Sequence, residues 1–483
     1  MISLSVADRT ISDRELLIFT TVSCLVIYYS LSIVYGSSQV PVLVSVFIFS
    51  NMISRTSIFQ SLVQRAGPKF SKLIYGISER AGPHKDRFSS SVSTNVKGRE
   101  KFESLSQTSK LELLTAIKSL ESYAINTKKT NDRRRKLFKL MSWRQQKLCE
   151  DVGYLSKLKR IDNAIHINQV FLKDVAQYSF EKNGLSFQDF ELLKDNESPS
   201  QISSTNYRVI ESLGHYLRDW SPEGESEITP VWDYVRKQLD LKIPPHERPK
   251  TCVIVPGSGL GRIAHEIANH GDPTEKFAAV HAVEYSGLMH VCNNFIYAAS
   301  DDLENSKPYE LYPHIHSCSN FYDTASQFKP TTIEPHTTKP LNLHLNHDDF
   351  RYFSLPNREK YEYIVVVSIF FMDTAENLVD YMDAVHDLAT PTKKSNLKNG
   401  YWINIGPLKY GSAAQVELNA DEFAMLRKNM GWRDSSHVKS IQKPDEFGNI
   451  GLVGYITHKE SMWQGYYGLN MWTSARKENQ RRI

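Results

Sequence analysis

Three glycines at alternate positions, Gly257, Gly259 and Gly261, separate a short apolar run, "TCVIVP", from a segment with helical apolar spacing, "LGRIAHEIANHG". A strand, a glycine turn and a helix in this order let the backbone approach a nucleotide closely and aim amide groups at it. The spacing is G-x-G-x-G. The dinucleotide fingerprint needs a third glycine where Arg262 stands. The loop therefore suits a nucleotide without a pyrophosphate, such as S-adenosylmethionine, and disfavours a nicotinamide dinucleotide. A tight turn that holds no ligand is the other reading.

Three more groups are placed to act with this loop. "AAVHAVEYS" ends a second apolar run on Glu284, about one strand–helix–strand unit further on, where a carboxylate can accept from both ribose hydroxyls. "LNLHLNHDDF" delivers Asp348, Asp349 and Phe350 to a strand end, an acid for an adenine amino group and a ring for the base. "VVVSIFFMDTAENL" turns from strand to helix at Asp373, which faces an acceptor or only caps the helix.

The elements that must position these groups can be read from the pattern after residue 250. Apolar runs at 251–255, 278–284, 363–368 and 401–405 alternate with helical segments at 260–269, 288–299, 375–388 and 420–429. Such alternation predicts a parallel sheet covered by helices. Residues 301–340, with "LYPHIHSCSN" and a Pro/Thr-rich stretch, interrupt it and read as an insertion over the ligand edge of the sheet. Before the sheet, residues 109–179 have helical periodicity, and another helix over 204–218 runs into "RDWSPEGE".

The bulk numbers fit a folded chain of two or three domains with a large core: 483 residues, 41% hydrophobic, 23% charged. A formal net charge of +4 argues against a dedicated nucleic-acid binder. The one dense basic run, "KKTNDRRRK" at 128–136, reads as a solvated helix face or loop. Five cysteines with no CxxC pair suggest neither a zinc site nor a disulfide framework. "HIH" at 314–316 lacks the companion ligands of a metal motif, so no metal is expected. At the N-terminus, residues 16–35 carry no charge, long enough to cross a bilayer, and 42–53 form a second, shorter apolar stretch. Arg55, Arg65, Lys69, Lys72 and Arg80 come next, which would leave the rest of the chain on the cytosolic side. A buried soluble hairpin is the alternative.

The blocks "VIVPGSGLGRIAHEIA", "VEYSGLMHVCNNF", "LYPHIHSCSN", "FFMDTAENLVDYMD" and "GYWINIGPLKY", in this order and preceded by "LRDWSPEGE", closely resemble the carnosine N-methyltransferase family over residues 109–477. The resemblance implies an α/β fold, a seven-stranded class I methyltransferase (Rossmann-like) sheet with an N-terminal helical subdomain, to which this chain would add an N-terminal membrane hairpin. The expected organisation is a membrane segment over 1–54, a linker over 55–105, a helical subdomain over 106–225 and the methyltransferase domain over 226–483. It also implies S-adenosyl-L-methionine as cofactor and methylation of the imidazole Nπ of carnosine, a small histidine-containing dipeptide, to give anserine. A homodimer is the expected assembly. The catalytic domain would face the cytosol, and without an anchor the compartment would be cytoplasm or nucleus.

Carried over by residue, the resemblance implies cofactor contacts from His215, where the family usually has glutamine, and from Arg218, which would reach the cofactor carboxylate. Gly257 and Gly259 would form the loop wall, Glu284 would take the ribose, and Asp349 and Phe350 the adenine. Ile369 stands where close relatives have a cysteine. Asp373 would bind the substrate imidazole and is the expected catalytic group, accepting the Nτ–H so that the Nπ lone pair is free. Tyr466 or Tyr467 would complete the substrate pocket. Gly411 occupies the position of a family histidine that contacts the dipeptide. Other readings remain open at this point: a histidine methyltransferase for another peptide or a protein, or a catalytically silent scaffold held at a membrane.

Overall fold

The computed structural model describes residues 98–193, 199–298, 307–334, 337–391, 395–440, 444 and 450–476, together with 21, 28–33 and 42. The chain divides into two compact units, Met1–Lys85 and Asp86–Ile483. The expected membrane hairpin lies almost wholly outside the described residues, as does most of the linker. Among the described residues no helix is long and apolar enough to cross a membrane.

The second unit begins with a helical layer: α1 (Arg99–Ser104), α2 (Gln107–Lys139), α3 (Trp143–Asp151), α4 (Tyr154–Lys182), α5 (Pro199–Trp220) and α6 (Glu225–Lys242). Ser106 caps α2 through the Ser109 amide, and Ser142 with Gln145 forms a capping box on α3. Leu114, Ile117, Leu120 and Tyr123 of α2 recur at helical spacing and are fully buried with Leu158, Ile165, Leu172 and Val175 of α4.

The sheet comprises β1 (Thr251–Pro256), β2 (Ala279–Glu284), β5 (Leu343–His347), β6 (Tyr363–Ile369), β7 (Asn399–Gly406), β8 (Trp432–Ser440) and β11 (Leu469–Arg476), in the order β5-β2-β1-β6-β7-β11-β8. Helices α7 (Arg262–Asn269), α8 (Gly287–Ile296), α10 (Leu378–Ala389) and α11 (Ala420–Asn429) connect them. A short α9 (Thr324–Gln327) and the hairpin β3 (Tyr309–Leu311) with β4 (Thr331–Ile333) lie in the insertion, and β9 (Val453–Gly454) pairs with β10 (Tyr466–Tyr467). The seven-stranded α/β sheet matches the expectation. Its uniform parallel direction does not: β11 runs antiparallel to both β7 and β8. Antiparallel neighbours need no crossover helix, so β11 can enter between β7 and β8 from a loop.

The insertion docks on the helical layer rather than only over the sheet. Tyr309 packs edge-on against Phe171 at 5.0 Å, the Tyr312 amide donates to Asn168, and His316 meets the Tyr123 hydroxyl at 2.8 Å. One edge of it, with Pro313, His314 and Thr331, lines a cavity of about 220 Å³ that Arg218 borders. Strand order reverses at β1, which pairs with β2 on one side and β6 on the other. The carboxyl ends of β1 and β6 therefore border the crevice where open α/β sheets bind ligands.

Candidate functional site

All three loop glycines have positive φ: 59° at Gly257, 54° at Gly259 and 78° at Gly261. Close approach adds to the requirement at Gly257, where a Cβ would come within 2.4 Å of the Phe371 ring, whereas a Cβ on Gly259 would meet open space. Gly257 thus fits the loop onto the end of β6, and Gly259 presents bare backbone to the crevice. Gly257→Ala should weaken cofactor binding at least tenfold, about 1.4 kcal/mol, and lower the melting temperature, as read by titration and scanning calorimetry. Wild-type affinity in this variant would mean that the loop does not wall the cofactor.

Glu284 ends β2 beside this loop. Its Oε2 accepts the Gly259 amide and its Oε1 the Ser286 amide, each at 2.8 Å. Burial raises its pKa, and the amide donors counter part of that rise. Each carboxylate oxygen retains a second lone pair for a ligand hydroxyl.

Across the crevice, α5 supplies His215 and Arg218. Both line a small cavity, about 60 Å³, with Gly257, Gly259, Ile369 and Tyr455. Five of the expected cofactor residues thus converge on one space. The Arg218 guanidinium donates to Asp219 at 2.7 Å and lies 4.8 Å over the Tyr455 ring. Its Nη2 is buried without a hydrogen-bond partner among the described residues. The guanidinium also lies 3.5 Å from Glu227, but its free N–H, on a residue that lines the cavity, fits a ligand carboxylate, which would form a charge-assisted bond there. Burial pushes the His215 imidazole down to about 4, so it is neutral at physiological pH, and its Nδ1 is also unpartnered among the described residues.

On the other side, Phe350 is buried, edge-on to Phe371 at 5.6 Å, and Phe371 stacks on Tyr381 at 4.6 Å. These rings form an apolar wall next to Gly257. Asp349 is already engaged: both of its carboxylate oxygens accept from Arg351, whose Nη2 lies 2.5 Å away. An adenine amino group would have to share that carboxylate.

Asp373 sits in a 3-10 turn just past β6, buried, with Oδ2 accepting the Lys409 amide at 2.9 Å. Burial raises its pKa, moderated by that amide. Lys409 extends to Tyr467, with Nζ 3.4 Å from the phenol oxygen, and Tyr467 packs edge-on to Phe370. Of the two tyrosines, Tyr467 joins this wall. Tyr466 is half exposed, and its hydroxyl donates to Gln464. Gly411 lies in an exposed turn where a Cβ would meet nothing within 4 Å, so no side chain from this position closes the pocket.

The carnosine N-methyltransferase family profile matches residues 195–478, more than half of the chain. The chain belongs to this family. Among its relatives, an uncharacterised protein of Saccharomyces cerevisiae, YMR209C, is 27% identical over 66% of this chain and 72% of its own length. The carnosine N-methyltransferase of Schizosaccharomyces pombe is 26% identical over 77% of this chain and 96% of its own. A solved structure, magnesium protoporphyrin IX methyltransferase from Synechocystis with bound S-adenosylmethionine, is 9% identical with a TM-score of 0.27, covering 60% of this chain and 89% of that one.

This carnosine N-methyltransferase family member is an S-adenosylmethionine-dependent methyltransferase. Its crevice also contains residues that the motifs do not single out. Phe370, with φ of 49°, turns its ring onto Tyr455 at 4.9 Å and stands 5.7 Å from the Arg218 guanidinium. Tyr455 directly follows β9 and packs edge-on to His215. Asp219 fixes Arg218 and accepts, through its carbonyl, from Arg262 at 2.9 Å. The doubled aromatic in "SIFFMD", directly after a strand, is the one sequence signal for Phe370 and Phe371.

Proposed function

We propose that this methyltransferase acts on the imidazole Nπ of a histidine-containing dipeptide of the carnosine type, giving anserine from carnosine. The observation that carries the reading is Asp373, a buried carboxylate just past β6 and two residues on from Phe371, whose ring faces Gly257, with one oxygen tied to the Lys409 amide. The cofactor supplies the methyl carbon. Everything else falls to the protein: aligning a nitrogen lone pair with that carbon and excluding water.

An imidazole offers two nitrogens. Asp373 would accept the Nτ–H, leaving the Nπ lone pair for the methyl group. As the N–C bond forms and the S–C bond breaks, the ring becomes a cation, which the fixed carboxylate stabilises until the Nτ proton leaves to solvent. The free imidazole has a pKa of ~6.5, so the neutral nucleophile is abundant at cellular pH. Phe370 and Tyr467, edge-on to each other, would flank the ring. Arg218, Glu284 and the Phe350–Phe371 wall would hold the cofactor's carboxylate, ribose and base.

Lys409 supports a substrate with a free carboxylate. Its side chain is exposed beside Tyr467, and no side chain projects from Gly411, two residues on. Lys409→Gln should raise KM for carnosine roughly tenfold with kcat within about twofold, the pattern of a lost rim charge contact. Equal KM values in the two proteins would remove Lys409 from recognition.

The test is direct: incubate the full chain with methyl-labelled cofactor and carnosine and locate the label by mass spectrometry. Label on Nπ is the expected result. Cofactor binding without transfer to carnosine would direct the reading to another histidine-containing acceptor.

A further inference from the structure

The basic run that reads in the sequence as a solvated helix face has a more specific character in the fold. Residues 133–147, "RRRKLFKLMSWRQQK", contain seven Arg or Lys and no Asp or Glu. They span the end of α2, the tight turn at Leu140 and the start of α3. This tip presents large apolar side chains to solvent: Leu140 is 82% exposed and Trp143 80%, with Leu137 also more than half exposed; the acids Glu150 and Asp151 stand only at the far end of α3. Helix α3 buries none of its nine residues. Three cations of the run are engaged within the protein: Arg134 on the His316 carbonyl, Arg135 on Asp132 and Asp162, and Lys147 on Asp151. Arg133, Lys136, Lys139 and Arg144 make no ion pair among the described residues.

We propose that this tip docks the methyltransferase on an anionic lipid bilayer. Aliphatic and indole side chains at the apex would enter the boundary between headgroups and acyl chains, while the surrounding Lys and Arg meet the lipid phosphates and carboxylates. An exposed apolar cluster on a protein surface marks an interaction site, and the charge decides which one. A second copy seated symmetrically on the same patch would set the basic rim against itself. A nucleic acid would satisfy the cations but leave Leu137 and Leu140 in water. An anionic membrane matches both the apolar apex and its uncompensated charge. Neither the N-terminal apolar stretch nor the acceptor chemistry at Asp373 enters into this docking.

The test uses the full chain with phosphatidylcholine vesicles, with and without phosphatidylserine, whose acyl chains carry bromine as a short-range quencher of indole fluorescence. Wild type should show quenching in the anionic vesicles that Trp143→Phe lacks, because only an inserted Trp143 approaches the bromines through this tip. Reversing Lys136, Lys139 and Arg144 to Glu together should lower partitioning into the anionic vesicles at least roughly tenfold, since each basic residue near such a surface contributes measurably, with methylation activity in solution unchanged. Identical quenching in wild type and Trp143→Phe would overturn the proposal, as would an anionic preference that survives the charge reversal. A concentration-dependent dimer that Trp143→Asp abolishes would overturn it as well, by assigning the patch to a second copy.

Discussion

Asp373→Asn is expected to lower kcat by about two to four orders of magnitude, the range for loss of a positioned proton acceptor. Cofactor affinity should stay within a few-fold of wild type. The amide can still offer one oxygen, but the Lys409 N–H and the substrate Nτ–H both need an acceptor, so one of them would face the new NH₂ group. The imidazole then loses the contact that selects its tautomer and the charge that stabilises the methylated cation. Stability separates this outcome from simple damage. Burial raises the Asp373 pKa, so the folded protein binds that proton more tightly than the unfolded chain. A raised carboxyl stabilises the fold below its unfolded pKa and loses that contribution as pH rises through the folded value; at neutral pH the ionised group is a cost. Asn removes the cost, so the melting temperature should hold or rise while turnover collapses. A variant that keeps its turnover would take Asp373 out of the reaction. One that loses melting temperature and cofactor binding together would make it a structural residue. Activity should fall toward low pH in the wild type for two reasons with the same sign: the substrate imidazole protonates near ~6.5, and Asp373 loses its charge.

Part of this site is written plainly in the sequence, and the physics of the backbone explains which part. Gly257, Gly259 and Gly261 all occupy positive φ, where other residues are strained, so residue type reports conformation directly. Glu284 and Asp373 are legible because each ends an apolar run, and the ends of parallel strands face the crevice. The wall made by Phe370, Tyr455 and Asp219 is not legible in the same way. Tyr455 reaches Arg218 and His215 from a loop more than two hundred residues away in the chain, and Phe370 meets Arg218 and Tyr455 where a left-handed backbone turns its ring toward them. The antiparallel β11 is likewise a long-range pairing, which local alternation does not report. Asp349 shows the opposite limit. Its place at a strand end is legible, but its engagement with Arg351, two residues on, depends on side-chain geometry.

Glu284 joins the two kinds of information. It is legible as a ribose acceptor, yet the structure gives it a second task, tying the Gly259 amide of the loop to the Ser286 amide that begins the turn into α8. Glu284→Ala should therefore act twice. Two amides lose their acceptor, at about 1–3 kcal/mol each if water does not replace it, so the melting temperature should fall by several degrees. The ribose loses its charged acceptor, and with the loop released the cofactor dissociation constant should rise by roughly 10² or more, two bonds to a charged group contributing about 1.5–3 kcal/mol each. Glu284→Gln separates the effects. It keeps one oxygen for one amide and sets an NH₂ group against the other, so part of the stability returns while cofactor binding stays weak. Calorimetric titration and thermal melts on both variants read the two quantities independently. If Glu284→Ala bound cofactor as wild type does while melting lower, the carboxylate would be a loop tie alone, and the ribose would be held elsewhere along the crevice.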